Sequence, residues 1–226
     1  MGPPVSVRWA TTAVPEAAAV LLTGAERARW ASLRFPEDRA RLLAAHALGR
    51  LLVAERLAIR PADVELRQTC GRCGGPHGRP IAHVSGAQAP HLSLAHAGGL
   101  VVAAVGATDV GIDVEPLAQT AAALAAIEEV ARGAGDRAAP DELVRWWVAK
   151  EALAKARGTG WDAPVGSLRI GRLGRADGHR VRPVELVASY VGAVAVRGRQ
   201  RPVVDVAGID WGDLTEAGAP SPRATG

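Results

Sequence analysis

Two short segments of this chain predict that three carboxylates and a lysine lie close together. Residues 110–115 read Val-Gly-Ile-Asp-Val-Glu and alternate as a β-strand does, so Asp113 and Glu115 lie on one face, about 7 Å apart. Residues 147–155 read Trp-Val-Ala-Lys-Glu-Ala-Leu-Ala-Lys, which is typical of a helix on which Glu151 and Lys155 share a face. The sequence therefore predicts a helix that presents a third carboxylate and an ammonium to the two carboxylates of a strand.

Carboxylates held this close repel one another unless a cation lies between them. Three carboxylate donors suit Mg²⁺, which keeps some of its waters and accepts phosphate oxygens as further ligands. The set thus predicts a magnesium–phosphate site with a lysine beside it. The alternative is an ordinary Glu–Lys pair on a wet helix surface, which contributes a few tenths of a kcal/mol to stability.

The use of basic residues favours the first interpretation. Of the 27 basic residues, 25 are arginines, and the two lysines, Lys150 and Lys155, both flank Glu151. An ammonium can release a proton and carries its charge as a point, whereas a guanidinium stays protonated. A helix that needs an acid near a phosphate has reason to use lysine at these positions.

Four motifs in order along the chain carry a resemblance to a known family. They are Gly78-Arg79-Pro80, the segment from Leu92 to Gly98, Gly111-Ile-Asp-Val-Glu115, and Trp147 to Lys155 followed by Gly158-Thr159-Gly160. In this order they resemble the 4′-phosphopantetheinyl transferases of the type that activates surfactin synthetase. The resemblance extends from about Leu21 to about Val196.

The resemblance implies an α+β fold, a pseudo-dimer of two similar α+β halves with the active site in the cleft between them. We expect an N-terminal half at 1–108, a C-terminal half with the carboxylates at 109–215, and a flexible tail at 216–226. An internal echo between residues 94–106 and 187–198 agrees with two halves, although two unrelated hairpins would give the same pattern.

The resemblance also assigns roles to individual residues. Asp113, Glu115 and Glu151 would hold Mg²⁺, Glu151 would accept the serine proton, and Lys155 would stabilise or protonate the leaving phosphate. His96 would contact the pyrophosphate of coenzyme A. Coenzyme A would also meet Gly78, Arg79, Pro80, Arg41 and either Arg27 or Arg29, the arginines near the 3′-phosphate. For those arginines the alternative is a solvated helix face.

Three features depart from the family or stay open. Ala95 and Ala97 flank His96 where family members commonly have serines, so hydroxyl contacts to phosphate are absent here. Lys150 lies 100° around the helix from Glu151, where it would simply be solvated. Cys70 and Cys73, followed by His77 and His83, form either a loop with two thiols or a zinc site of unusual spacing.

We therefore expect a monomeric, Mg²⁺-dependent enzyme that transfers 4′-phosphopantetheine from coenzyme A to a serine of apo carrier proteins. The carriers would be those of polyketide or nonribosomal-peptide synthesis, with fatty-acid carriers as a further class. The alternatives are a non-catalytic module that binds coenzyme A or a carrier protein, and a metal-dependent phosphohydrolase. Dispersed positive charge, without basic blocks or interleaved aromatics, argues against nucleic-acid binding. The sequence has no apolar run of 18 residues and no evident secretory signal, so we expect the protein to be cytoplasmic.

Periodicity and turn residues predict the secondary structure. We expect a long helical region at 15–57 broken near Phe35-Pro36, a helix at 118–132, and a helix that Asp141 caps and Gly158 ends. Expected strands lie at 5–10, 64–69, 91–95, 100–105, 110–115, 167–173, 183–189, 192–197 and 202–206.

Overall fold

The computed structural model describes residues 2–70, 73–75, 78–131, 140–159, 165–171 and 174–213. The protein is a mixed α+β fold. Its helices are α1 (Gly24–Ser32), α2 (Pro36–Leu57), α3 (Ala121–Ala131) and α4 (Pro140–Arg157). Its strands are β1 (Pro4–Thr11), β2 (Val64–Gln68), β3 (Pro80–Val84), β4 (His91–Ala97), β5 (Leu100–Gly106), β6 (Val110–Pro116), β7 (Arg175–Ala176), β8 (His179–Val184), β9 (Tyr190–Arg197) and β10 (Val203–Gly208).

Two four-stranded sheets form the centre of the molecule. The first sheet has the order β10-β1-β5-β4, in which β10 runs parallel to β1 and the other pairs are antiparallel. The second sheet has the order β6-β9-β8-β7 and is antiparallel throughout. Strands β2 and β3 form a separate two-stranded ribbon.

Apolar side chains stack these elements into four layers. Helix α2 covers one face of the first sheet through a core that includes Leu48, Leu52 and Val101. The two sheets pack face to face through a second core of valines, isoleucine, alanines and leucine. Helices α3 and α4 cover the far face of the second sheet, with Val148 and Leu153 in a third core. Each sheet is therefore buried on both faces, as the nearly uniform apolar character of β5 indicates.

Most of the predicted elements are confirmed. The helical region breaks at Phe35, since Pro36 opens α2, but it breaks a second time at Leu22 and Thr23, after a 3₁₀ helix at Glu16–Leu21. Gly158 ends α4 with a positive φ of 70°. The hairpin with Gly98-Gly99 at its turn is present as β4 and β5. Helix α4 begins at Pro140, so the prediction that Asp141 caps it is wrong.

The predictions are least accurate after α4. Residues 165–167 form a 3₁₀ turn where a strand over 167–173 was expected, and residues 172–173 lie outside the described residues. The strand expected at 183–189 occurs earlier, at 179–184. Strand β10, counted with the C-terminal half on sequence, pairs with β1 in the first sheet. The expected flexible tail at 216–226 lies outside the described residues.

The described part of the chain contains no helix with the length and apolar character that a membrane crossing requires.

A buried ionic cluster joins α1 to α2. Glu26 accepts a hydrogen bond from the Thr23 backbone amide at 2.7 Å, lies 2.6 Å from His46 Nδ1, and pairs with Arg50. Arg50 is 1% exposed and also donates to the carbonyl of Val64 at the start of β2. Burial alone would raise the pKa of Glu26, but hydrogen bonds from His46 and Arg50 and the charge of Arg50 lower it to about 2. The cluster therefore depends on an ionised Glu26.

We predict that Glu26→Gln lowers the free energy of unfolding by about 3 kcal/mol at neutral pH, because Arg50 is left as a buried charge without its counter-ion. A lowered folded-state pKa stabilises the protein above the ordinary value of 4.5, and this contribution is lost as the pH falls towards 2. The gap between wild type and variant in urea unfolding should therefore shrink over that range. The exposed Glu16→Gln is the control and should leave stability unchanged. A gap that stays constant down to pH 2 would contradict the ionic account.

Candidate active site

Helix α4 and strand β6 approach so closely that only glycine fits at position 111. A Cβ atom built on Gly111 would lie 2.0 Å from the carbonyl oxygen of Ala152 and 2.4 Å from the backbone nitrogen of Ala156. Val110, Ile112 and Val114 face the first sheet, so Asp113 and Glu115 share the face of Gly111 and point towards α4. The missing side chain of Gly111 thus lets the helix bring Glu151 and Lys155 to the carboxylates.

The closest contact in this group is an ion pair. Lys155 Nζ lies 2.7 Å from Asp113 Oδ1, and the Asp113 side chain is almost fully buried. Asp113 Oδ2 and Glu151 Oε1 are also buried, and neither has a hydrogen-bond partner in the described part of the protein. Two carboxylate oxygens are therefore shielded from water while only one cation, Lys155, contacts the group among the described side chains.

The pKa values of all three carboxylates are raised. Burial raises the pKa of Asp113, and Lys155 opposes that rise only in part. For Glu115, burial and the charge of Asp113 raise the pKa, while hydrogen bonds with Gln119 and Trp147 act against the rise. Burial and the charges of Asp113 and Glu115 likewise raise the pKa of Glu151. We refer to Asp113, Glu115 and Glu151 as the carboxylate cluster.

The donors in this cluster fit a divalent cation. Buried carboxylate oxygens without partners and raised carboxyl pKa values are what a hard cation relieves when it binds. Among the described residues, however, no three His, Cys, Asp or Glu side chains are already grouped as a metal site. Lys155 occupies one oxygen of Asp113, and Gln119 lies 3.4 Å from Glu115. Binding of a metal would therefore draw these side chains closer together.

A cleft next to the cluster collects several of the other predicted residues. This cleft, between α1, α2 and the β2–β3 ribbon, has a volume of about 340 Å³ and is called the α1/α2 cleft. Residues from several elements line it, among them Arg29, Arg41, Gly78, Pro80 and His96. Lys155, Arg41 and Asp113 all act on the charge of His96, so the cleft and the carboxylate cluster form one electrostatic unit.

His96 lies on β4, one residue from its end, with its ring accessible to solvent. Partial burial lowers the pKa of His96, and the positive charges of Lys155 and Arg41 lower it further. A neutral imidazole can donate one hydrogen bond and accept another. His96 is therefore suited to contact a phosphate without adding a full charge.

Hydrogen bonds hold the two arginines of the cleft in place. Arg29 donates to the side chain of Gln68 at 3.1 Å, and Gln68 in turn donates to the carbonyl of Gly78 at 2.9 Å. Arg41 forms an ion pair with Asp38 and donates to the carbonyl of Gly98 at 3.4 Å. The cleft therefore presents two guanidinium groups held by the ribbon and by the β4–β5 turn.

Two predicted coenzyme A contacts lie elsewhere. Arg27 donates to the carbonyls of Ala19 and Leu22 and does not line the α1/α2 cleft. Arg79 lies 3.6 Å from Asp109, which also pairs with Arg197 and lies 3.1 Å from His91. Of the two alternatives Arg27 and Arg29, the structure brings Arg29 to the cleft.

The remaining sequence features have mixed outcomes. Lys150 is 5% exposed, so the expectation that it is solvated is wrong. Cys70 and Cys73 belong to no metal-binding group among the described residues, and His77, like Gly160, lies outside them.

Several contributors to the site were not predicted from the sequence. Ser93 Oγ accepts a hydrogen bond from the Ile112 amide at 3.1 Å and so joins the edges of β4 and β6. Gln119 and Trp147 hold Glu115. The polar Ser93 in a buried, apolar strand was the available signal for the first contact, because a buried hydroxyl requires a partner.

A search of protein families finds none that matches this sequence, and a search of curated proteins also finds no match.

We predict that Gly111→Ala lowers the free energy of unfolding by about 3 kcal/mol or more, because the new methyl group overlaps the backbone of α4. Gly24→Ala is the matched control. Nothing lies within 4 Å of the position that its methyl group would take, so its effect should stay below about 1 kcal/mol. Urea unfolding measures both variants. Equal stability of Gly111→Ala and wild type would refute the close approach.

Proposed function

We propose that the protein is a 4′-phosphopantetheinyl transferase that moves phosphopantetheine from coenzyme A to a serine of an apo carrier protein. The observation that carries this proposal is the meeting of Asp113, Glu115, Glu151 and Lys155 beside a cleft lined by Arg29, Arg41 and His96. Carboxylates next to basic side chains and a histidine suit a substrate with dense negative charge. The motif order supports the same chemistry.

The reaction requires a proton acceptor and a stabilised leaving group. The serine oxygen attacks the β-phosphorus of coenzyme A, and the bond from that phosphorus to the bridging oxygen of the pyrophosphate breaks. Glu151 accepts the serine proton. Adenosine 3′,5′-bisphosphate leaves with its charge stabilised by Lys155, which can also supply a proton.

Asp113, Glu115 and Glu151 are the residues that would hold Mg²⁺. When bound, the ion would neutralise pyrophosphate oxygens and relieve the repulsion within the carboxylate cluster. The buried oxygens of Asp113 and Glu151 that lack a partner among the described residues support this assignment.

The α1/α2 cleft would bind the nucleotide end of coenzyme A. Arg29 and Arg41 offer forked donors that suit phosphate oxygens, and His96 lines the same cleft, where the charges of Lys155 and Arg41 act on it. The backbone at Gly78 and Pro80 completes the wall.

We also propose that the chain is a pseudo-dimer. In the first sheet the chain order β1, α2, β4, β5 gives the spatial order β1-β5-β4. In the second sheet the order β6, α4, β8, β9 gives the spatial order β6-β9-β8. The two sheets therefore share a topology in which the last of these strands lies between the other two. This supports two related halves that share the site.

Two other functions compete with the transferase. A module that only binds coenzyme A or a carrier protein would need the α1/α2 cleft but not Glu151 and Lys155. A metal-dependent phosphohydrolase would use the carboxylates and water, without a carrier protein. Glu151, Lys155 and the α1/α2 cleft together favour the transferase over both of these functions.

We predict that Glu151→Gln abolishes transfer and leaves coenzyme A binding largely intact, because the amide cannot accept the serine proton. The assay mixes protein, coenzyme A, Mg²⁺ and an apo carrier protein, and mass spectrometry weighs the carrier. Glu142→Gln, an exposed change on the same helix, should transfer normally. Near wild-type turnover of Glu151→Gln would remove this residue from the mechanism. Hydrolysis of coenzyme A without a carrier adduct would favour the phosphohydrolase.

We predict that Mg²⁺ raises the melting temperature of the wild type and that Asp113→Asn loses most of this increment, since a ligand that binds only the folded state stabilises it. Differential scanning fluorimetry over a series of Mg²⁺ concentrations measures the rise in melting temperature. The rise is compared between variants because the substitution also changes the melting temperature without Mg²⁺. Asp177→Asn is the control, because its carboxylate is 99% exposed. An equal increment in Asp113→Asn would exclude Asp113 as a ligand.

A further inference from the structure

A second cleft opens between β10 of the first sheet and β8 of the second. The sheets are joined at one edge, where Ile112 of β6 bonds Ser93 of β4. At the other edge, β10 and β8 bound an opening of about 1000 Å³, here called the seam cleft. The seam cleft and the α1/α2 cleft share no lining residue.

One wall of the seam cleft is apolar. Leu186, Val187, Val204 and Val206 are partly accessible, and they pack against the core between the sheets. An aliphatic group placed here would continue that core and be removed from water.

The other wall is cationic. Arg145, Arg182 and Arg201 line it, and Glu185 is the one carboxylate among the described lining residues. Arg182 donates from Nη1 to the carbonyl of Pro202 at 2.7 Å, which fixes its guanidinium group beside β10. Its Nε is buried and has no hydrogen-bond acceptor in the described part of the protein. The remaining Nη donors of this fixed guanidinium group suit a carboxylate or phosphate in the cleft.

We propose that the seam cleft binds a small amphipathic anion, with a carboxylate or phosphate head on Arg182 and an aliphatic tail on Leu186, Val187, Val204 and Val206. Charge complementarity selects the head, and the apolar wall selects the tail. A free molecule fits better than a bilayer surface, because the cleft is recessed between two sheets and Glu185 is exposed at its rim. The proposal does not depend on the transferase activity.

Occupancy of the seam cleft would be detectable at a distance. Tyr190 lines the cleft, and its hydroxyl oxygen accepts a hydrogen bond of 3.2 Å from the backbone amide of Gly99. Gly99 is in the turn that follows β4. The Gly99 amide resonance in NMR spectra should therefore shift when the cleft is filled.

The test is calorimetric titration of the full chain with octanoate as the probe. Octanoate should bind at least tenfold more tightly than octanol, which lacks the charge, or butyrate, which lacks the tail; tenfold corresponds to about 1.4 kcal/mol. Arg182→Gln should weaken binding at least tenfold. Arg199→Gln is the matched control, since this exposed arginine lies just before β10 but outside the cleft. Arg201→Gln, also an exposed change, should weaken binding several-fold and serves if Arg182→Gln does not fold.

Four outcomes would overturn the proposal. Octanol binding as tightly as octanoate would show a purely apolar site. Unchanged binding in both Arg182→Gln and Arg201→Gln would place the anion elsewhere. Displacement of octanoate by coenzyme A would assign binding to the α1/α2 cleft. Binding to vesicles of anionic phosphatidylglycerol without binding to free octanoate would indicate a membrane surface. The first, second and fourth outcomes can occur whether or not the protein transfers phosphopantetheine.

Discussion

The approach of α4 to β6 at Gly111 determines the geometry of the candidate site. Side chains normally separate the backbones of a packed strand and helix. At Gly111 no side chain separates them, and the two backbones are in direct contact. The next two outward-facing residues of the strand are Asp113 and Glu115, so the same contact that packs the helix also sets the separation of the charges. Packing and electrostatics therefore cannot be varied independently in this region.

Charge balance within the carboxylate cluster favours the binding of an external cation. Lys155 neutralises one carboxylate, yet the pKa values of Asp113, Glu115 and Glu151 all remain raised. Buried charges that repel one another lower stability unless a partner compensates them. Such an arrangement persists in a protein when a ligand supplies the missing charge, which agrees with a role in binding a metal and a phosphate. The Glu26 cluster is the opposite case, because its own cations satisfy it fully and its pKa is lowered.

Local patterns in the sequence were sufficient to predict much of this structure. The alternation over 110–115 correctly separated the face of Asp113 from the face of Ile112, because a strand has only two faces. The helix that carries Glu151 and Lys155 was also predicted, with its end at Gly158. These features depend on neighbours in the chain, so the sequence contains the information directly.

Features that depend on distant partners were not predicted. The pairing of β10 with β1 joins residues about 200 positions apart, and nothing in either strand specifies the other. Arg27 and Arg29 looked equivalent in the sequence, but only Arg29 has Gln68 within reach and lines the cleft. Lys150 looked solvated because its surroundings come from other parts of the second half of the chain. Tertiary contacts, rather than local preference, decided each of these outcomes.

The parallel pairing of β10 with β1 also has a consequence for biosynthesis. A ribosome releases the amino-terminal strand first, but its outer edge stays unpaired until residues 203–208 have emerged. An unpaired edge is a site for wrong association with other chains, so the nascent protein is vulnerable until β10 has emerged. The first sheet can therefore be completed only after every strand of the second sheet has been synthesised.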